Sequence, residues 1–259
     1  MFILRHLHWT NLLFLHDINL IKESFMTKLS VNVNKIATLR NARGNNIPNL
    51  ESTTASIIEF GADGITIHPR PDQRHIKSSD ILQISNIIQN KVEFNIEGFP
   101  SKNFLKTVLK IKPDQVTLVP DGPNVLTSLE GWDTITHKKM LTNVVNDLKN
   151  SGIRTSIFIH PTLDMVKAVS EINADRIELF TGIYAAQHHT IDSYVACSEY
   201  AKDVGIGINA GHDLDLKNLP FFVKNMPFLD EVSIGHALIS ESLFLGLEQT
   251  VKMYKKILS

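Results

Sequence analysis

Histidines and carboxylates recur in this chain at the ends of short apolar runs. His68 closes GITIH, Glu97 closes VEFNIE, Glu178 sits inside RIELF, and His212 follows Asn209, Ala210 and Gly211. His75, His160 and His236 stand at or just beyond comparable runs. Imidazoles and carboxylates held together suit proton transfer near neutral pH, because their proton affinities are easily tuned into that range. Core packing alone gives no reason to place them there. Each has a plainer reading: His68 as a satisfied core histidine, Glu97 as half of a structural salt bridge, and Glu178 as a partner of Arg154 or Arg176. A carboxylate at the end of an apolar strand costs several kcal/mol, or changes its proton affinity, unless it is paired.

The elements that must carry these groups repeat from Lys28 onward as a short apolar run, a loop, and a stretch with helical spacing. The runs are LSVNVN (29–34), GITIH (64–68), VEFNIE (92–97), QVTLV (115–119), TSIFI (155–159), RIELF (176–180), GIGIN (205–209) and VSIGH (232–236). Their Val, Ile, Phe and Thr content fits strands, and their shortness fits parallel strands covered by helices. Helical spacing is clearest over 78–90, over 140–152 ending in Gly152, over 161–172 with Thr162 as N-cap, and over 241–258 with a basic, solvated end. Gly61–Gly64, Asn173–Asp175 and Val204–Gly207 are expected to be tight turns into strands. Eight such units with no shift in composition predict a single-domain α/β fold, a closed (β/α)8 TIM barrel spanning 28–259. An open doubly wound sheet is the alternative, but no Gly-rich phosphate loop follows the first run.

Active sites of such barrels form at the C-terminal strand ends, which places the histidines and carboxylates on one rim. Gly211 and Gly235 follow strands 7 and 8, where exposed backbone N–H groups commonly hold phosphate. Arg43, Arg70 and Arg74 offer guanidinium forks for a second anion. Two anion sites facing one acid/base cluster imply one doubly phosphorylated substrate or two phosphorylated ones. The loop from Asp121 to His137, which holds Thr127 and Ser128, is long enough to form a lid. No His-x-His on the first strand and no HExxH helix supports a metal, and no lysine ends strands 5 to 7 to form an imine.

Composition narrows the partners. Hydrophobic residues make up 43% and charged residues 20%, and the net charge is −1. That excludes a global basic field for nucleic acid or anionic membrane. Cys197 is the sole cysteine, which precludes an intrachain disulfide and fits a cytoplasmic protein. Residues 1–27 contain only short apolar pieces broken by His and Asp, too short for a membrane span. They are expected to be a dispensable, disordered extension or a non-native start, with translation beginning at Met26.

Several longer strings carry a resemblance: VNVNKIATLRNARG (31–44), GADGITIHPRPDQRHI (61–76), FNIEG (94–98), RIELFTG (176–182), INAGHDL (208–214) and VSIGHALI (232–239), with the short LVPD (118–121). In order and spacing they are similar to the pyridoxine 5′-phosphate synthase family over nearly all of 28–258. The resemblance implies condensation of 1-deoxy-D-xylulose 5-phosphate with 3-amino-2-oxopropyl phosphate to pyridoxine 5′-phosphate, phosphate and water. It implies no organic cofactor and no catalytic metal, and a homo-octamer of barrels. It makes His68 and Glu97 proton acceptors, His212 the proton donor and Glu178 a further acid. Asn32, Arg43, Asp213, Gly235 and His236 fall where the family holds the amino-ketone phosphate. Asn34, Lys35, Arg70, His75 and Thr127 fall where it holds the deoxyxylulose phosphate. The chain departs from the family at Asn34-Lys35, where Asp-His is usual, within His68-Pro69-Arg70-Pro71-Asp72, and at His160, where an acid is usual. Two other readings remain at this point: a single-substrate phosphosugar isomerase or aldolase, and a non-catalytic barrel that binds a phosphorylated ligand.

Overall fold

A computed structural model describes residues 26–122, 128 and 130–259. Eight parallel strands close into a barrel in sequential order: β1 Lys28–Asn32, β2 Gly64–Ile67, β3 Glu93–Gly98, β4 Gln115–Leu118, β5 Arg154–Ile159, β6 Arg176–Phe180, β7 Gly207–Gly211 and β8 Glu231–Ile234. The helices around it are α1 Asn34–Asn41, α2 Leu50–Glu59, α3 Ser78–Ile88, α4 Lys102–Ile111, α5 Lys138–Asn150, α6 Leu163–Ile172, α7 Gly182–Ala186, α8 Ile191–Asp203, α9 Leu219–Asn225, α10 His236–Leu245 and α11 Leu247–Leu258. No helix among the described residues is long and apolar enough to cross a membrane.

Strand side chains alternate between the two faces. The outward set includes Leu29, Val31, Ile65, Ile67, Ile157, Ile159, Val232 and Ile234, all buried in one continuous core between sheet and helices. The inward set is mostly polar, apart from Phe158 and Phe180 near the C-terminal end. Ser30 Oγ meets Thr66 Oγ1 at 2.7 Å, Thr117 Oγ1 donates to Asn95 Oδ1 at 3.1 Å, and Asn209 Nδ2 donates to Glu231 Oε1 at 3.2 Å. Bulky branched residues usually fill this space, so the stabilising apolar burial of this barrel lies mainly outside the sheet.

A repeated device closes the N-terminal end. Asp63, Asp114, Asp175 and Asp230 each precede an even-numbered strand and accept a backbone N–H of the odd-numbered strand before it: Leu29, Phe94, Thr155 and Ile208, at 2.6–2.8 Å. The turns into β2, β6 and β7 carry positive φ at Gly61, Asn173 and Gly205, as their sequences predict.

Three expectations need correction. The apolar stripe over 241–258 is not one helix: the chain breaks between α10 and α11 at Gly246, whose φ of 82° ends the first helix while the periodicity continues beyond it. Lys255 is not simply solvated, since its Nζ meets Asp63 Oδ2 at 2.5 Å and ties α11 to the barrel floor. Thr27, assigned to the extension, is buried and donates to Leu229 O at 2.9 Å; residues 1–25 lie outside the described residues.

Candidate active site

The C-terminal strand ends enclose a cavity of about 620 Å³. On its wall stand His68, Glu97, Glu178 and His212, together with Asn32, Asn34, Lys35, Arg70, His75, Asp213, Gly235 and His236. Residues predicted from six different strand ends thus converge on one space. One of the predicted residues among those described is not on it. Arg43 is exposed: α1 ends at Asn41 after burying Arg40 against Asp80, and Arg43 follows on the outer turn. Thr127 lies outside the described residues.

His68 and Glu97 face each other, Nδ1 to Oε2, at 3.7 Å, both largely buried. Burial, then the charges of Arg70, His75, Arg74 and His212, hold the His68 imidazole well below its ordinary range. Burial, then Glu178 and Asp121, push the Glu97 carboxyl well above its own, against the pull of Arg70. Both shifts favour the uncharged forms, and a proton passed between the two groups makes an ion pair rather than an isolated charge.

Glu178 lies deeper. Burial and the Glu231 carboxylate raise it to about 8, while the Thr117 hydroxyl pulls the other way. The salt-bridge alternatives fail: Arg176 donates to Asn209 Oδ1 at 2.7 Å and Arg154 pairs with Glu93 at 2.7 Å. Glu178 Oε2 is buried with no hydrogen-bond partner among the described residues. Gly211 makes room for this carboxylate, since a Cβ there would stand 2.6 Å from Glu178 Oε1.

His212 begins the loop after β7 with φ of 98°, a conformation that side chains other than glycine adopt at an energetic cost. Its Nδ1 meets Asp213 Oδ2 at 2.7 Å, and its ring packs edge-on against Phe180. Asp213 itself is held through its N–H by Thr181 Oγ1 and through its carbonyl by Asn218. With Nδ1 engaged, a proton exchanged with a ligand passes through Nε2.

Two helix N-termini open onto the cavity. α10 starts at His236 and α1 at Asn34; neither N-cap residue, Gly235 or Val33, caps its helix, although Asn32 Oδ1 accepts the Asn34 N–H at 3.0 Å. First-turn N–H groups and the helix dipole favour an anion at each place. A Cβ on Gly235 would approach Asn32 Cβ to 3.0 Å, so the close approach there depends on glycine. Near α1, burial followed by Arg70, Lys35 and Arg74 lowers His75 to about 4, and its Nδ1 is buried with no hydrogen-bond partner among the described residues. Lys35, Arg70 and Arg74, the last two paired with Asp121 and Asp72, gather with an uncharged imidazole at a place suited to an anion. Asn34 also supports the framework, because its Oδ1 accepts the His68 N–H at 3.0 Å.

Some features escaped the sequence reading. Val119, Phe158 and Phe180 form a small apolar cluster, with Val119 and Phe158 on the cavity wall. Glu231 is a third buried glutamate, raised to about 7, mainly by burial. His160 stands off the cavity wall, paired with Glu130 at 2.9 Å and edge-on to Phe180. The latter part of the Asp121–His137 loop is packed down: Trp132 is buried, and its N–H donates to Phe158 O at 2.8 Å.

Fold and site together define a (β/α)8-barrel enzyme of acid/base type with room for phosphorylated ligands. The sequence belongs to the family described as "Pyridoxal phosphate biosynthesis protein PdxJ", whose model matches residues 29–259. It is 52% identical over 238 residues to the pyridoxine 5′-phosphate synthase of Christiangramia forsetii, covering 90% of this chain and 100% of that one. It is 54% identical over 236 residues to the synthase of Flavobacterium johnsoniae, covering 89% and 99%. Among solved structures, phosphoribosyl anthranilate isomerase from Thermotoga maritima superposes with a TM-score of 0.60 at 13% identity, covering 90% of this chain and 98% of that one. Tryptophan synthase from M. tuberculosis superposes at 0.62 and 11% identity, covering 92% and 94%. These two likenesses concern the fold alone.

Proposed function

We propose that this protein is a pyridoxine 5′-phosphate synthase, joining 1-deoxy-D-xylulose 5-phosphate to 3-amino-2-oxopropyl phosphate with release of phosphate and water. The observation that carries this is one cavity holding His68, Glu97, Glu178 and His212 between two helix N-termini, in a chain half-identical to such synthases over their whole length. The amine attacks a ketone to give an imine. Enolisations, dehydration and loss of phosphate follow, and ring closure completes the product. Each step moves a proton, so acids and bases must flank one intermediate.

His68 and Glu97 act as proton acceptors. His68 is ready as a neutral base, and the raised proton affinity of Glu97 makes its carboxylate a stronger acceptor than an ordinary one. His212 donates through Nε2, and Glu178, uncharged at neutral pH, supplies and recovers a proton from below. Asn32, Asp213, Gly235 and His236 hold the amino-ketone phosphate at the start of α10. Asn34, Lys35, Arg70 and His75 hold the deoxyxylulose phosphate near α1, where Lys35 brings a permanent charge. The assignments of Arg43 to the first group and Thr127 to the second rest on the resemblance alone. A cytoplasmic homo-octamer completes the proposal, and light scattering on the purified protein checks the octamer.

The decisive assay mixes the two substrates and follows pyridoxine 5′-phosphate by absorbance and mass. Product that forms with the wild type and is lost in Glu97→Gln and His212→Ala is expected. A folded wild type that makes no product refutes the assignment.

A further inference from the structure

Arg70 reaches the cavity from the loop after β2, and what holds it there comes from a different part of the chain. Asp121 lies just past β4. It is buried and absent from the cavity wall, whereas Arg70 and Ser128 are both on that wall. One oxygen, Asp121 Oδ2, accepts from Arg70 Nη2 at 2.7 Å and from Ser128 Oγ at 2.5 Å. The Arg70 and Asp121 side chains are 6% and 3% exposed. A buried guanidinium–carboxylate pair contributes little net stability, because desolvation offsets much of the attraction. The other buried pair, Arg40–Asp80, lies in the helical layer and joins α1 to α3. Arg70–Asp121 instead sits at the substrate chamber.

We propose that Asp121 is a positioning residue for the five-carbon substrate: from behind the cavity wall it fixes the Arg70 guanidinium and the Ser128 hydroxyl where the phosphate of 1-deoxy-D-xylulose 5-phosphate docks. The idea rests on the assignment of Arg70 to that phosphate. Arginine loses considerable rotamer freedom when it binds an anion, and a guanidinium ordered beforehand avoids that loss on binding. The charge-assisted bond from Nη2 also sets the plane of the fork, on which bidentate recognition of phosphate depends. A second consequence follows from charge. After burial and Glu178, Asp121 is the next group holding Glu97 above its ordinary range, and Arg70 opposes it. Removing the Asp121 charge therefore makes Glu97 easier to ionise.

Steady-state kinetics on the full-length protein test this with Asp121→Ala, Asp121→Asn, Arg70→Ala and the double variant Arg70→Ala/Asp121→Ala. Asp121→Ala is expected to raise KM for the five-carbon substrate by about tenfold, the scale of one charge-assisted hydrogen bond. KM for the amino ketone should stay within about twofold, since its site lies at the other helix N-terminus. In the Arg70→Ala background the same change should add clearly less than it does alone, only the part carried by Ser128, because Asp121 acts mainly through Arg70. The limb of the pH profile that reports Glu97 should move toward acid. A parallel rise of both KM values, additive effects in the double variant, or an unmoved pH limb reduces Asp121 to a structural support and overturns the proposal. If Asp121→Ala does not fold, the isosteric Asp121→Asn decides, with a KM rise of about threefold or more expected for the weaker neutral acceptor and an unchanged KM overturning the idea. Calorimetric titration with 1-deoxy-D-xylulose 5-phosphate separates the two levels. A wild type that binds it without turnover sinks the assigned reaction and leaves Asp121 to be judged by the ratio of affinities. One that does not bind it overturns both.

Discussion

Replacing Glu178 with glutamine should change how stability depends on pH, in a direction the structure fixes. Glutamine keeps the volume of the protonated carboxyl and cannot ionise. In the folded protein Glu178 is raised from 4.5 to about 8, so the folded state holds a proton that the unfolded chain releases. Stability from this group is complete below about pH 4.5 and is lost as pH rises through about 8. The full displacement corresponds to about 5 kcal/mol against the ionised form. Between pH 5 and pH 7 the share lost is about 2–3 kcal/mol, because the slope approaches about 1.4 kcal/mol per pH unit once the unfolded carboxyl has ionised. Glu97 and Glu231 act in the same direction. His68 and His75 act oppositely, since both are lowered in the folded state and add stability as pH rises toward 6.5. Wild type alone therefore reports a mixture, and the difference between Glu178→Gln and wild type isolates Glu178 together with its couplings to Glu97 and Glu231. Urea unfolding at pH 5, 6, 7 and 8 should show the variant gaining about 2–3 kcal/mol relative to wild type from pH 5 to 7. Turnover should fall about a hundredfold or more, as for loss of a general acid or base. A difference that stays constant across this range would mean that Glu178 ionises as an ordinary carboxylate, and the account of the site's floor would fail.

Asp80→Ala leaves the Arg40 guanidinium buried without its carboxylate and frees the Lys77 N–H that Asp80 also accepts; a loss of about 3–5 kcal/mol is expected by denaturant unfolding. Gly211→Ala would bring a Cβ to 2.6 Å from Glu178 Oε1 and 2.9 Å from the Ser233 carbonyl, so kcat should fall strongly while the protein still folds, read by circular dichroism alongside the assay. Deleting residues 1–25 should leave Tm and turnover within error, because strand pairing begins at Lys28; a drop in either would show that the segment supports the barrel.

The barrel could be read from sequence because its strands face helices with unmixed apolar residues: Leu29, Val31, Ile65, Ile67, Ile157 and Ile159 mark them without ambiguity. The rim could be read because His68, Glu97 and His212 end such strands, where packing has no use for them. What stayed hidden depends on contacts rather than patterns. Glu231 precedes the apolar string that announced β8, and its burial follows from its register opposite Asn209. The Asp121–Arg70 pair joins residues 51 apart, with nothing in either local string to link them. The break at Gly246 is invisible to periodicity because both flanking segments are helical. The recurrence of Asp63, Asp114, Asp175 and Asp230 before every second strand was available as a signal, but only their shared hydrogen bond to the preceding strand gives it meaning.

The polar barrel interior sets the proton affinities on which the chemistry depends. A carboxyl in a dry, aliphatic barrel would be driven far above neutral pH, and one in open water would return to the ordinary range near 4. Glu178 and Glu231 fall between, at about 8 and about 7. The reason is visible in their neighbours: Asn209 donates to Glu231, Arg176 lies close enough to pull Glu231 down, and Thr117 tempers Glu178. Yet Glu178 Oε2 and Ser156 Oγ remain buried with no partner among the described residues. A fully satisfied network would lock the carboxylates as anions, and a fully apolar one would lock them as acids. Partial satisfaction leaves them where a proton moves at little cost near neutral pH. An aliphatic residue at Ser156, whose buried hydroxyl has no partner to lose among the described residues, should therefore stabilise the barrel while shifting the proton affinity of Glu178 upward and slowing turnover.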